Sequence, residues 1–177
     1  MHVVDCQVHH QPRSYFEAHV GRRQFPFAER RDDGYLFHRS AGDVVAVGRD
    51  MWDLELQLER LERQGVDAVV SSMGGFGVDH LPVEQAIELA QQLNDERSQL
   101  ERQFAGRYYA LALIPMHDAA AAISTLDHAI ETLAMRGVLV RDAAEAQAAA
   151  ADRRAVYHRV ADLGVPLFVR PERPPGS

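Results

Sequence analysis

The sequence opens with the stretch His2-Val3-Val4-Asp5-Cys6-Gln7-Val8-His9-His10-Gln11-Pro12, in which an apolar run ends in a group of polar side chains. Residues 3–8 predict a buried strand, and the proline at the end of the stretch stops it. Alternate residues of a strand share a face, so Asp5, Gln7 and His9 are expected to point to the same side. This stretch therefore predicts the first strand of the fold and a candidate site at its end.

Strands and helices alternate along the rest of the chain. Four further strands are predicted at residues 66–70, 108–114, 137–140 and 165–169. Helices are predicted at residues 51–64, 82–104, 119–134 and 143–163. This alternation predicts the α/β class, with a parallel sheet and right-handed crossovers. A closed barrel of eight such units needs about 250 residues, so a chain of 177 residues with five predicted strands cannot close one.

An open sheet of five parallel strands has two free edges and one uncovered apolar face. Proteins normally cover such surfaces by pairing the edges or by binding a partner. We therefore expect an obligate assembly, either a homodimer or a complex with a partner chain that completes the barrel.

The chain is expected to form one domain over residues 1–177, because its length suits a single hydrophobic core. Residues 21–50 interrupt the alternation and are interpreted as an inserted hairpin or lid, with a turn at residues 40–43. Four aromatic residues of this insert are expected either to line a pocket or to pack against a partner chain: Phe25, Phe27, Tyr35 and Phe37.

Composition narrows the possible functions. The formal net charge of -7 argues against nucleic acids and anionic membranes as partners, which leaves a small-molecule ligand or another protein. All 19 basic residues are arginines, so a lysine Schiff base is excluded. Cys6 is the only cysteine, which rules out an internal disulfide, and it is expected to be a small buried residue. With no predicted signal peptide or membrane span, a cytoplasmic location is expected.

Several polar residues follow the predicted strands, where active sites gather in barrel enzymes. Besides His9 and His10, these are Ser71 and Ser72 in the loop of residues 71–77, His117 after the third strand, Arg141, Asp142 and Arg170. The loop is interpreted either as a cradle of backbone N–H groups for an anion or as a plain connection. His117 is interpreted either as half of a dyad with Asp118 or as the neighbour of a helix N-cap.

Motifs along nearly the whole chain resemble the amidohydrolase superfamily, in the branch of aminocarboxymuconate-semialdehyde decarboxylase and the resorcylate-type decarboxylases. The family's opening Asp-x-His-x-His corresponds to Asp5-Cys6-Gln7-Val8-His9, followed by Pro12 and Tyr15-Phe16-Glu17. Other similar motifs are Met51-Trp52-Asp53, Gln64-Gly65-Val66-Asp67, Asn94-Asp95, Gly106-Arg107-Tyr108, Leu113-Ile114-Pro115, Met135-Arg136-Gly137-Val138 and Leu163-Gly164-Val165-Pro166-Leu167-Phe168-Val169. The resemblance implies an incomplete (β/α) TIM-type barrel of about five parallel strands with helices, completed or covered by oligomerisation.

The sequence departs from the family where the family binds zinc. Gln7 stands at the first histidine of the opening motif, and Arg170 stands where a histidine is expected after the last strand. The family's later catalytic histidine and metal-binding aspartate have no counterpart within residues 1–177. A guanidinium carries only hydrogen-bond donors and cannot replace an imidazole ligand. We therefore expect no metal site and no cofactor; zinc is possible but disfavoured.

Two functional hypotheses remain open. In the first, the chain is a decarboxylase- or hydrolase-type enzyme that acts on a small carboxylated, aromatic or polyketide-like molecule without the usual zinc. The expected catalytic residues are then His9 as acid/base, Arg170 on a carboxylate, and Asp5, while Arg170 could instead pair with Asp5 structurally. The expected substrate contacts come from His10, Gln7, Ser71 and His117. In the second hypothesis, the chain is a non-catalytic half-barrel that serves as a binding or scaffold subunit; a truncated product without a settled role is a further possibility.

Overall fold

The computed structural model describes residues 1–74, 77–142 and 150–171, and within them strands and helices alternate as expected for the α/β class. None of the described helices is long and apolar enough to cross a membrane. The strands are β1 Val4–His9, β2 Phe27–Arg31, β3 Gly34–Ser40, β4 Asp43–Val47, β5 Ala68–Ser72, β6 Tyr108–Ala110, β7 Ala112–Leu113, β8 Val138–Asp142 and β9 Leu167–Pro171. The α-helices are α1 Arg13–Glu17, α2 Leu54–Glu62, α3 Val83–Gln103, α4 Ala119–Asp127 and α5 Ala150–Leu163.

Five parallel strand positions form the body of the fold. One sheet has the order β1-β5-β6 and another the order β7-β8-β9, and only Leu111 separates β6 from β7. The strand predicted at residues 108–114 thus forms β6 in the first sheet and β7 in the second. In the described part of the chain β9 is not paired with β1, so the sheet stays open. The α/β class and the incomplete barrel of about five parallel strands are confirmed.

Strand β1 was predicted to be buried, but it is partly exposed. It lies at an edge of its sheet, and Cys6 and Gln7 are both exposed. Between Asp5 and Val8 the register shifts, because β1 has three residue steps where β5 has two. The backbone N–H of Gln7 turns to the Asp5 carboxylate at 2.9 Å. This β-bulge breaks the strict alternation of faces, so the expectation of a buried Cys6 is wrong.

Residues 27–47 form a three-stranded antiparallel sheet, β2-β3-β4, with a turn between β3 and β4. Tyr35 and Phe37 are buried in a hydrophobic cluster with Tyr15 and Phe16 of α1, and Trp52 packs against it. The stacked rings of Phe16 and Tyr35 lie 5.4 Å apart. These two aromatic side chains of the insert therefore anchor it to the body of the fold.

Helices cover the outer face of the parallel strands. Asp118 caps α4 by accepting a hydrogen bond from the Ala121 N–H at 2.7 Å, as predicted. A π-helical turn at His128–Thr132 follows α4 and ends two residues before the predicted end of this helix at residue 134. The predicted fourth helix is seen from Ala150 onwards, and its first residues, 143–149, lie outside the described residues, as do residues 172–177.

Candidate functional site

A cavity of about 320 Å³ lies on the inner side of the open barrel. Its walls come from both edge strands, β1 and β9, and from the strands between them. The insert contributes none of the residues that line this cavity, so the part of residues 21–50 that the structure describes is no lid over it. The lining residues are Asp5, Cys6, Gln7, His9, Ser72, Leu111, Leu139, Phe168, Val169 and Arg170.

His9 and Arg170 meet in this cavity, although 161 positions separate them in the sequence. Nη1 of Arg170 lies 3.4 Å from Nε2 of His9, and Nδ1 of His9 lies 3.0 Å from the Ser72 hydroxyl oxygen. Because a guanidinium can only donate, Nε2 is the accepting nitrogen and Nδ1 carries the proton that is donated to Ser72. This tautomer excludes His9 as the base that would activate the Ser72 hydroxyl in this arrangement.

Positive charge surrounds His9. Burial lowers its pKa, and the charges of Arg170 and Arg141 lower it further, while the interaction with Ser72 partly opposes them. His9 is therefore neutral at physiological pH and can accept a proton.

The cavity is lined by both apolar and polar side chains. Leu111, Leu139 and Phe168 are among its apolar lining residues, and Arg170 is among its polar ones. Apolar side chains beside a guanidinium suit a ligand that has a hydrocarbon ring and a carboxylate. The planar guanidinium matches the two carboxylate oxygens. Asp5 and Gln7 also line the cavity, so these two predicted site residues lie beside His9 and Arg170 as expected.

His10 lies elsewhere. It is fully buried, its Nε2 donates to the Trp52 carbonyl at 3.1 Å, and its Nδ1 accepts from the Tyr108 hydroxyl, 3.3 Å away. The Tyr108 oxygen in turn accepts from Nε of Arg97 at 3.3 Å. Both ring nitrogens of His10 thus have hydrogen-bond partners within the protein. The expectation that His10 contacts a substrate is therefore corrected: its position is structural.

Ser71 also fails to reach the cavity. Its side chain is completely buried, whereas the neighbouring Ser72 lines the cavity wall. Successive residues of β5 point to opposite faces, so only one of the two serines can face inward. Of the two serines at this strand end, Ser72 and not the expected Ser71 lines the cavity, because the register of β5 against β1, which a single strand does not reveal, decides between them.

His117 lies after β7, as predicted, but its partner is not Asp118. Nδ1 of His117 lies 3.2 Å from Oδ1 of Asp79, which also accepts a hydrogen bond from the Met116 N–H at 2.6 Å. Asp118 is the N-cap of α4 instead. His117 is not among the residues that line the cavity around His9, so a direct contact with a ligand held there is not seen. Sequence analysis missed Asp79 because 38 positions separate the two residues.

No protein-family model matches the sequence, and no curated protein is significantly similar to it. Solved structures do match its fold. The IDCase of Metarhizium anisopliae in apo form has a TM-score of 0.82 and 18% identity over 96% of this chain and 50% of that protein. A structure named amidohydrolase II gives 0.75 and 20% identity over 97% and 51% of the two chains. The chain therefore has the fold of an incomplete barrel that is similar to about half of each of these structures.

A third structure of this fold bears on metal binding. A dihydroxybenzoic acid decarboxylase of Polaromonas sp. JS666, with bound manganese and the inhibitor 2-nitroresorcinol, has a TM-score of 0.68 and 16% identity over 99% of this chain and 51% of that one. The present chain thus spans about half the length of each of these three proteins. The shared fold makes it necessary to test whether an amidohydrolase-type metal suits the residues that are present.

The residues around His9 do not suit a divalent cation. Within residues 1–74, 77–142 and 150–171, no group of three or more His, Cys, Asp or Glu side chains is arranged to hold a metal. The lone pair of His9 Nε2, which a metal would need, already faces a guanidinium nitrogen 3.4 Å away. The positive charges of Arg170 and Arg141 would also repel a metal cation at His9.

Proposed function

We propose that this incomplete amidohydrolase-type barrel binds a small aromatic carboxylic acid in the cavity between β1 and β9 and acts on it as a decarboxylase- or hydrolase-type enzyme without a metal ion. The observation that carries the proposal is the contact of Arg170 with His9 in a cavity that apolar side chains also line. A carboxylate can accept hydrogen bonds from the guanidinium of Arg170, and an aromatic ring suits the apolar lining residues.

In this proposal Arg170 holds the carboxylate. Its guanidinium can donate two parallel hydrogen bonds to the carboxylate oxygens, in addition to or in place of the bond to His9. Leu139 and Phe168 then flank the ring and exclude water from one side. The exclusion of water strengthens the ion pair, because charges interact more strongly at low dielectric.

His9 serves as the acid/base group. It is neutral before the ligand binds, so it can take a proton at Nε2, and the negative carboxylate beside it favours the imidazolium that results. Asp5, on the same cavity wall, can add to this stabilisation. The structural similarity to the Polaromonas dihydroxybenzoic acid decarboxylase favours a decarboxylation. A reaction of the hydrolase type would instead use His9 to take a proton from water.

The proposal is tested by ligand binding to Arg170→Gln and His9→Gln. Isothermal titration with benzoate and with 2,6-dihydroxybenzoate should show an affinity at least about tenfold lower for Arg170→Gln, because a charge-assisted hydrogen bond contributes about 1.5–3 kcal/mol. His9→Gln should keep binding and lose turnover. The matched control is Arg60→Gln, which removes an exposed arginine paired with Asp50 at 3.5 Å. If both site variants remain folded and match the parent protein in binding and turnover, the proposed function fails.

A second candidate function rests on the exposed edges of the barrel. Val4 on β1 is 43% exposed, and Leu167 and Val169 on β9 are 37% and 53% exposed. These edges favour a non-catalytic half-barrel, a binding or scaffold subunit that pairs with a second copy or a partner chain. Light scattering distinguishes the two cases: a stable monomer that co-purifies with no partner, and that binds benzoate, contradicts the scaffold function.

A further inference from the structure

The antiparallel sheet of the insert has two edge strands, and only one of them is protected. Strand β2 is covered on its outer side, where the Ala28 N–H donates to the His19 carbonyl at 2.9 Å. The last three residues of β2, Glu29, Arg30 and Arg31, are charged. Covering contacts and charged side chains are two means by which proteins keep an edge strand from pairing with another chain.

The opposite edge, strand β4, lacks this protection along most of its length. Its residues are Asp43-Val44-Val45-Ala46-Val47, so only the first carries a charge and none is proline. Val44 is 45% and Val45 is 37% exposed. Within the described residues β4 pairs with β3 alone, so its other side faces no strand. An apolar edge of this kind is a template for one more strand.

The outer face of the sheet is apolar up to this edge. The rings of Phe27 and His38 are stacked, with centroids 4.2 Å apart. His38 is the register partner of Phe27 on one side and of Val44 on the other. Phe25 is 46% exposed, and its ring lies 5.3 Å from that of Phe27. This row of side chains crosses all three strands and ends at β4, where a further strand would extend it.

A second copy of β4 suits this edge because the strand is complementary to itself. When two copies pair antiparallel around Val45, Val44 of each copy lies opposite Ala46 of the other, and apolar groups meet. Asp43 at the start of β4 then lies diagonally across from Arg49, which follows the end of β4 and has a side chain that is 76% exposed. Opposite charges therefore meet at both ends of the paired strands.

Both charged residues have a partner in their own chain, but each keeps atoms for another contact. Arg39 donates to Oδ1 of Asp43 at 2.6 Å, and Nε of Arg49 donates to Asp53 at 2.6 Å. Within the described residues no other hydrogen bond or ion pair engages Oδ2 of Asp43 or the Nη atoms of Arg49. These atoms can join the two copies through charge-assisted hydrogen bonds.

We propose that two copies of this chain associate through β4, by antiparallel pairing around a two-fold axis, so that their insert sheets form one six-stranded sheet. The same surface is used on both copies, and the assembly therefore closes at two. This interface leaves β1, β9 and the cavity between them free. It is thus independent of the proposed function and differs from a pairing of the barrel edges.

Sedimentation equilibrium tests the interface through a matched pair of valines. The parent protein should have twice the chain mass of 19.8 kDa. Val44→Lys should raise the dissociation constant of the dimer at least about tenfold, because a charge on an edge strand opposes pairing. The control is Val4→Lys on the edge strand β1, where the valine is 43% exposed, and it should change the constant by less than about twofold.

A charge exchange tests the antiparallel arrangement itself. Asp43→Arg and Arg49→Asp should each weaken the dimer, because like charges then meet at both ends of the strand pair. A mixture of the two variants should form a heterodimer with the affinity of the parent within about threefold, since each arginine again faces an aspartate. Sedimentation of each variant and of the mixture measures these affinities.

The outcomes decide between the possible interfaces. A monomeric parent protein overturns the inference, as does a dimer that Val4→Lys dissociates and Val44→Lys does not. A mixture of the charge variants that associates no better than either variant alone overturns it as well. Benzoate binding should be the same in the parent and in Val44→Lys, so a failure here leaves the proposed function standing, and the reverse also holds.

Discussion

Two polar networks lie on opposite sides of the same parallel strands, and they differ in how completely they are satisfied. On the outer side, Arg97, Tyr108 and His10 form a chain of hydrogen bonds that ends at the Trp52 carbonyl, so that both ring nitrogens of His10 and the Tyr108 hydroxyl have partners within the protein. On the inner side, His9 and Arg170 meet at the wall of an open cavity. Both networks combine an arginine with a histidine. The residue types alone therefore do not distinguish a structural network from a candidate site; the open side of the cavity does.

The outer network is rigid because of its connections. Arg97 is fully buried and donates to the backbone carbonyls of Leu111 at 2.7 Å and Ser71 at 2.6 Å. Leu111 is the residue between β6 and β7, so the guanidinium joins α3 to the place where the two parallel sheets meet. The comparison predicts that substitutions on the outer side change stability and that substitutions on the inner side change ligand binding.

The largest effect is expected for Arg97→Ala. The substitution removes the hydrogen bonds that Arg97 donates to the Leu111 and Ser71 carbonyl oxygens and to the Tyr108 hydroxyl, and it creates a cavity, so the free energy of unfolding should fall by about 4 kcal/mol. Urea denaturation measures the change. The control, Arg102→Ala, removes an exposed arginine on the same helix and should cost less than about 0.5 kcal/mol. Equal effects of the two substitutions would remove the distinction between the networks.

Acid should weaken the outer network next. Burial and the charge of Arg97 lower the pKa of His10 from 6.5 to about 4, whereas an unfolded chain keeps the ordinary value. The unfolded state therefore binds more protons as the pH falls, and stability that is complete above pH 6.5 is lost down to about pH 4. For His10 the loss is on the order of 3 kcal/mol.

The pH effect is measured by urea denaturation of the parent and of His10→Gln between pH 7.5 and 4. Other groups contribute to the slope in both proteins, among them His19 and His80, whose pKa values are lowered by burial to about 4 and about 3. The difference between the two curves isolates His10: it should be constant above about pH 7, and as the pH falls the parent should lose stability relative to His10→Gln. Parallel curves would show that His10 is not held neutral by its surroundings.

The smallest effects are expected when the two adjacent histidines are exchanged for alanine at pH 7.5. His10→Ala should lower the free energy of unfolding by about 2 kcal/mol, because the Tyr108 hydroxyl and the Trp52 carbonyl lose their partner. His9→Ala should change it by less than about 0.5 kcal/mol, since His9 borders an open cavity. Denaturation curves of the two variants, recorded side by side, would contradict the comparison if His9→Ala proved the more destabilising.

Much of the fold followed from the sequence because hydrophobic periodicity and helix-capping signals are local. The strand at residues 66–70 was predicted within two residues of β5, and the long helix from residue 82 to 104 within one residue of α3. The N-cap at Asp118 was also predicted from local sequence. The interruption at Leu111 was not, because it depends on Arg97, which lies 14 positions away on another element.

The site was less predictable, because its geometry depends on contacts between distant residues. The ends of parallel strands share one edge of a sheet, and this rule alone placed His9 near Arg170. It could not reveal which of Ser71 and Ser72 faces inward, because that depends on the register of β5. Nor could it pair His117 with Asp79, which is brought there by the loop after β5.

The bulge in β1 has a practical consequence. It turns Cys6 toward the cavity, and Cys6 is the single cysteine of the 177 residues. A thiol-reactive fluorophore or spin label attached to the unaltered chain therefore goes to one known place, beside the His9–Arg170 contact. A label on Cys6 can thus report whether the cavity is occupied, and no engineered cysteine is needed to attach it.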